Sequence, residues 1–390
     1  MHQIYEYSVS YSQVILSTFL WILAYYLCKR QTAIYNSLDD EYTTVLYKPK
    51  GFLIVFGILI YIYSTFGCSG GDFLHYWKLY DLNATSKEPI HYELFFYKLQ
   101  HILPHGYYWW RTAVWGCATC VLLAIIRRLR TDTDISCMVF VLLLMFHFPN
   151  LRQVLGFMIM YYGLIMLFDS IEEKQGLLMP IISIGIIALS TQFHSTMLLF
   201  ISLSLLPIIP GVKNKHVIIT LLLLFPVLYV SLSQMKGYIL LWSEEELSGM
   251  ERAVHYIESD YRSSANLFGM IKMIINKLPV LALMFFSIWH VFFKRVETSL
   301  LCKNLLMASF IMIYLSFLFE GNDVSSFLST RLWDTALYPL AFFSMIFLRD
   351  YITTKFITYT LLCLLFSNIY NLAYVIYSLD KMNAEYLMSL

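Results

Sequence analysis

Phe148-Pro149-Asn150-Leu151-Arg152-Gln153 joins two apolar runs, 135–148 and 154–168, and sets an arginine at the turn between them. At about 1.5 Å of rise per residue the runs cover roughly 21 to 23 Å each, against a hydrocarbon thickness of about 30 Å. The turn is therefore expected below one membrane surface, with Arg152 as a recessed cation. A charge at that depth is expensive and ordinarily faces protein or a wet cavity, which makes Arg152 a candidate site residue rather than a surface anchor.

The rest of the chain fits this reading. It is 59% hydrophobic and 14% charged, against roughly 25% charged in soluble proteins. The expected fold is all-α, a polytopic integral membrane protein with about 12 transmembrane helices recognised as successive apolar runs. These runs are 9–28, 51–67, 107–126, 135–148, 154–168, 177–191, 197–209, 217–232, 270–293, 305–319, 335–348 and 356–377. The first is too long for a signal-peptide core and carries Lys29 and Arg30 after it, so it is expected to stay as an uncleaved helix with the N-terminus outside. Residues 1–390 then form one transmembrane domain with long outer loops at 68–106 and 233–269.

Short loops on the opposite side carry Lys48, Lys50, Arg127, Arg128, Arg130, Lys174, Lys213, Lys215, Lys294, Arg295, Arg349 and Lys355, which marks that side as cytoplasmic. With a net charge of +1 and no basic cluster beyond 127–130, nucleic acid is not an expected partner. Cys117 and Cys120 have metal-ligand spacing but lie in an apolar run without a second pair, so they are read as packing residues. No metal and no cofactor are expected.

A second hairpin has the same design as the first. Gln192, His194, Ser195 and Thr196 form the outer turn between the short runs 177–191 and 197–209. Two recessed polar turns suggest one shared pocket. Arg152 and Gln153 offer several donors to a phosphate or pyrophosphate, and His194 can serve as acid, base or donor. In the first outer loop, Asp72 follows two glycines and reads either as a base for a sugar hydroxyl or as a solvated N-cap aspartate, with Tyr76 on its face if the segment is helical. Glu88 precedes Pro89 at a helix-start signature. Residues 92–103 read as an interfacial helix. Glu320, Asp323, Arg331 and Asp334 gather in a third outer loop, where Arg331 is either a second phosphate ligand or the partner of Asp334. Lys272 and Lys277, near the start of run 270–293, are read as snorkelling to the headgroups.

Gly71-Asp72 with Tyr76, Glu88-Pro89, Leu151-Arg152-Gln153 and Phe193-His194-Ser195, in that order over the first half of the chain, resemble the EpsG-like branch of the Wzy-type polysaccharide polymerases. The resemblance implies a metal-independent glycosyltransferase of the bacterial inner membrane, with its active site facing the periplasm and a GT-C-like architecture as one option. It implies undecaprenyl-pyrophosphate-linked glycans as substrates, drawn from the membrane lipid, with a chain-length regulator and a flippase as companions. On this expectation Arg152, with Arg331, stabilises the departing pyrophosphate while Asp72 or His194 takes the acceptor proton. Tyr76, Glu88, Gln153 and Gln192 contact the sugars. A lipid-linked oligosaccharide flippase or transporter and a membrane O-acyltransferase are the competing classes. Neither an internal repeat nor a prominent cytoplasmic histidine speaks for them.

Overall fold

In the computed structural model the residues described are 50–66, 80, 100, 102, 106–129, 144, 151–193, 197–205, 214–243, 267–294, 298–320 and 326–350. They are almost wholly helical, and no strand occurs among them. The expected helices at 9–28 and 356–377, and all of 135–148 except the helical Leu144, lie outside the described residues. In chain order the helices are α1 (Lys50–Phe66), α2 (Tyr107–Leu129), α3 (Leu151–Glu172), α4 (Leu178–Ser190), α5 (Met197–Leu205), α6 (Asn214–Ser243), α7 (Leu267–Ile288), α8 (Leu300–Glu320) and α9 (Ser326–Asp350). A five-residue π-helical turn, Trp289–Phe293, continues α7.

Three of these helices are long and apolar enough to cross a membrane, over Trp109–Leu129, Gln153–Glu172 and Leu300–Phe319. Shorter apolar stretches occur at Leu53–Ile62, Leu178–Ser190, Lys215–Ser231, Lys277–Phe293 and Leu332–Phe347. The chain divides into two compact units, Met1–Ile201 with Ser344–Leu390, and Ser202–Phe343.

In the first unit α1, α2, α3 and α4 pack in series. Small residues set how closely they approach. A Cβ on Gly163 of α3 would lie 2.8 Å from Cγ1 of Ile187 and 3.1 Å from its backbone nitrogen, so only glycine admits α4 at that distance. Seven residues earlier, a Cβ on Gly156 would lie 3.4 Å from Met197 and 3.5 Å from the carbonyl oxygen of Ser190. The two contacts run in opposite directions along the two helices, which makes α3 and α4 antiparallel. Close approach through small residues is the usual way apolar helices associate where lipid removes the hydrophobic drive. At the far end of the unit, Arg128 Nε donates to Asp169 Oδ2 at 2.6 Å and ties the last turns of α2 and α3 together.

The second unit is stitched by side-chain donors on backbone carbonyls. Asn304 Nδ2 donates to the carbonyl of Ser204. Ser309 Oγ donates to the carbonyl of Ala336 at 3.0 Å, and Ser316 Oγ to that of Ser329 at 2.9 Å, joining α8 to α9 at two levels. Tyr314 Oη donates to the carbonyl of Leu221 at 2.8 Å, joining α8 to α6. Leu221 neighbours the carbonyl of Leu222, which Pro226 of α6 leaves without its helical N–H. Among residues this apolar, a hydroxyl that reaches a carbonyl is satisfied without water.

Several boundaries differ from the sequence expectation, for one reason. Apolar runs stop at the first polar residue, whereas helices continue while backbone bonds and a polar partner can be found. Run 154–168 ends before Asp169, but α3 continues to Glu172 because Asp169 is taken by Arg128. Run 217–232 becomes the thirty-residue α6, whose last residues, 233–243, were expected to open the second outer loop. Arg331 and Asp334, expected in a third outer loop, lie inside α9.

The close contact at Gly163 yields a contrast. Gly163→Leu is expected to lower stability by about 1–3 kcal/mol through overpacking. Gly185→Ala, where the added methyl meets nothing within 4 Å, should be neutral or add up to about 1 kcal/mol through helix propensity. Thermal melts of the two variants in detergent check the sign of each.

Candidate functional site

The site begins from a correction. α3 has 22 residues, which is about 33 Å of helix and long enough to cross a bilayer. Arg152 is its second residue, within the first turn rather than in a loop between two short helices. Length alone therefore does not sink Arg152 into the membrane. The second hairpin keeps its expected short arms, with 13 residues in α4 and nine in α5.

The second turn is flanked by residues that pack on α3. The carbonyl of Ser190 and the side chain of Met197 both lie against Gly156, four residues and about 6 Å along α3 from Arg152. Positions three and four apart share a helix face, so Gln153 and Arg152 occupy the turn of that face directly above Gly156. The start of α3 thus stands over the turn that bears Gln192 and leads into His194. Gly156 thus marks where α3 meets Ser190 and Met197, at ordinary contact distance.

Local hydrogen bonding explains why α4 stops there. The backbone N–H groups of Thr191, Gln192 and Phe193 donate to carbonyls three residues back, Ala188, Leu189 and Ser190, at 3.2, 3.0 and 3.1 Å. Ser190 Oγ and Thr191 Oγ1 also return to carbonyls three residues back, those of Ile187 and Ala188. These tighter bonds overwind the helix end and bring Phe193 into the core while Gln192 stays exposed. Gln153 is 6% exposed and turned into the protein. His194, Asp72, Tyr76 and Glu88 lie outside the described residues. Arg331 is the sixth residue of α9 and belongs to the second unit.

Two cations that the sequence gave little weight take defined positions. Arg111 in the first turns of α2 is only 3% exposed. Its Nη1 donates to Tyr107 Oη at 3.4 Å, and its guanidinium lies 5.9 Å from the ring centre of Trp115. Around it, Tyr80, Tyr107 and Trp110 form a cluster with ring centres 5.8 to 5.9 Å apart. Gln100 Nε2 donates to the Tyr80 carbonyl at 2.7 Å, and the Gly106 N–H donates to Tyr80 Oη at 3.2 Å. Tyr80 and Gln100 are thereby tied to the start of α2. The signal for this was legible as Tyr107-Tyr108-Trp109-Trp110-Arg111, a charge inside an aromatic run that opens an apolar helix.

The second is Lys277. Its Nζ lies 5.1 Å from the ring centres of both Phe317 and Trp333, which meet edge to face at 88°. No group of three metal-binding side chains occurs among the described residues.

These features define a helical membrane protein. The sequence signature of the EpsG family matches residues 51–388, and the chain belongs to that family, the EpsG/Wzy-like polysaccharide polymerases. No curated protein and no solved structure matches it.

The two arginines of the first unit are expected to differ sharply. The Arg128 and Asp169 side chains are 28% and 30% exposed, and such a pair contributes about 0–1 kcal/mol. Arg128→Ala should cost no more than that. Arg111→Ala removes a buried donor together with its packing and is expected to cost more than about 2 kcal/mol. Parallel melting curves of the two purified variants give the comparison.

Proposed function

We propose that this protein joins lipid-linked oligosaccharide repeat units into a surface polysaccharide. The observation that carries the reading is the family match across most of the chain, supported by the pairing of the α3 start with the recessed turn. The donor glycan is held on undecaprenyl pyrophosphate and the acceptor unit on a second copy of that lipid. Both approach sideways from the bilayer on the outer, periplasmic side of the bacterial inner membrane.

The acceptor hydroxyl oxygen forms the new bond to the anomeric carbon of the donor. The bond from that carbon to the pyrophosphate oxygen breaks, and its electron pair leaves with undecaprenyl pyrophosphate. Asp72 or His194 takes the acceptor proton. Charge accumulates on the leaving pyrophosphate, where donors fixed in advance stabilise it most effectively. Arg152 supplies that stabilisation from the first turn of α3, with Arg331 as a second cation. Tyr76, Glu88, Gln153 and Gln192 hold the sugars.

Deletion in a host that carries the matching polysaccharide genes is expected to leave surface lipid bearing a single repeat unit. Loss of a flippase would leave none, and loss of an acyltransferase would leave full-length chains lacking an acyl group. Arg152→Ala and His194→Ala, inserted at normal abundance, should lower polymer formation about 100-fold or more. Long chains from both variants would overturn the catalytic assignment.

A further inference from the structure

The candidate is the exposed side of α7 and of the π-helical turn that continues it. Along the apolar stretch Lys277–Phe293, Val280, Met284, Ile288 and Val291 are buried, whereas Leu278, Phe285, Trp289 and Phe293 are exposed. Spacings of three, four and seven residues put each set on its own face. Four residues of α-helix overshoot a full turn by about 40°, so a stripe spaced by four drifts around the axis. The π-helical turn winds more loosely, and the Lys294 N–H donates to the carbonyl of Trp289, five residues back, at 2.9 Å. This offsets the drift. Trp289 and Phe293 stack with 5.5 Å between ring centres and 16° between planes, and the stripe begun by Phe285 runs straight to the helix end. His290 braces the turn, its Nδ1–H donating to the Phe286 carbonyl at 3.0 Å and its ring packed 4.0 Å from that of Phe286.

The apolar stretch is roughly 25 Å long, close to a hydrocarbon thickness of about 30 Å, so its end at Phe293 and Lys294 comes at the level of the lipid headgroups. Lys294 is exposed and forms no ion pair with any described residue. From His290 to Lys303 the sequence carries three cations, Lys294, Arg295 and Lys303, against one acid, Glu297. Aromatic rings at this level anchor a helix in any bilayer and select no particular lipid. An exposed ammonium at the end of the stripe adds what they lack, a charge that separates an anionic headgroup from a zwitterionic one.

We propose that the face formed by Phe285, Trp289 and Phe293, ending at Lys294, binds one anionic glycerophospholipid of the surrounding leaflet. Its acyl chain lies along the rings and its phosphate meets the ammonium of Lys294. The site stands on α7 alone and is independent of the polymerase reading.

The test uses full-length protein in phosphatidylcholine nanodiscs that contain either dibrominated phosphatidylglycerol or dibrominated phosphatidylcholine at the same mole fraction. Bromine on an acyl chain quenches a tryptophan in contact with it, and the signal of Trp289 is the difference between wild type and Trp289→Phe. The brominated phosphatidylglycerol is expected to associate about fivefold more strongly than the brominated phosphatidylcholine. Lys294→Gln should remove that preference and leave both the quenching by phosphatidylcholine and the melting temperature unchanged. Lys294→Arg should keep the preference, and so should Lys174→Gln, at an exposed lysine between α3 and α4. Equal quenching by the two lipids overturns the proposal. So does an equal loss of preference in Lys174→Gln, because the surface charge as a whole would then attract the lipid. A lower melting temperature with loss of quenching by both lipids in Lys294→Gln also overturns it and marks Lys294 as a helix cap. If neither lipid quenches Trp289 in the wild type, another protein surface covers this face and the lipid assignment falls.

Discussion

Polar groups in a layer without water must be satisfied by the protein itself, and this demand organises both units. In the second unit it appears as hydroxyl and amide donors on carbonyls, from Asn304, Ser309, Tyr314 and Ser316. Each such bond holds one helix to another at a definite height. In the first unit it appears as Ser190 and Thr191 turning back on their own helix. An unsatisfied hydroxyl in hydrocarbon costs several kcal/mol, so these bonds fix register even where the net gain of each is small.

Close packing supplies the other half of the register. Gly163 and Gly156 are seven residues apart and face α4 and the chain that follows it. α3 itself is long enough to cross a membrane. Cations receive three different environments within this frame. Arg128 pairs with Asp169 at a half-exposed helix end, Arg111 is enclosed by aromatic side chains, and Lys277 rests between two rings.

Much of the helical layout was legible in apolar runs. The starts of α2 and α5, the extent of α4, and the α7 stretch ending at Phe293 fall within a few residues of where hydropathy puts them. Hydropathy was least informative where a polar residue finds a partner far along the chain. Asp169 looks like a helix stop until Arg128, 41 positions earlier, is seen to bind it. Arg331 and Asp334 look like loop residues because the start of α9 is polar, yet the helix carries them. Nor does hydropathy announce the two rings beside Lys277, which lie 40 and 56 positions away in sequence.

The sequence by itself determined the class of molecule and the family, because apolar length and a few short motifs are local properties of the chain. It also singled out Arg152, Gln153 and Gln192 as polar residues at helix ends. Tertiary structure alone decided that Gly156 of α3 meets Ser190 and Met197, that Arg111 is buried, and that Lys277 lies beside rings of α8 and α9. These are distances between segments remote in sequence, set by a missing Cβ at Gly163 and by the meeting of rings from α8 and α9, and no local pattern encodes them.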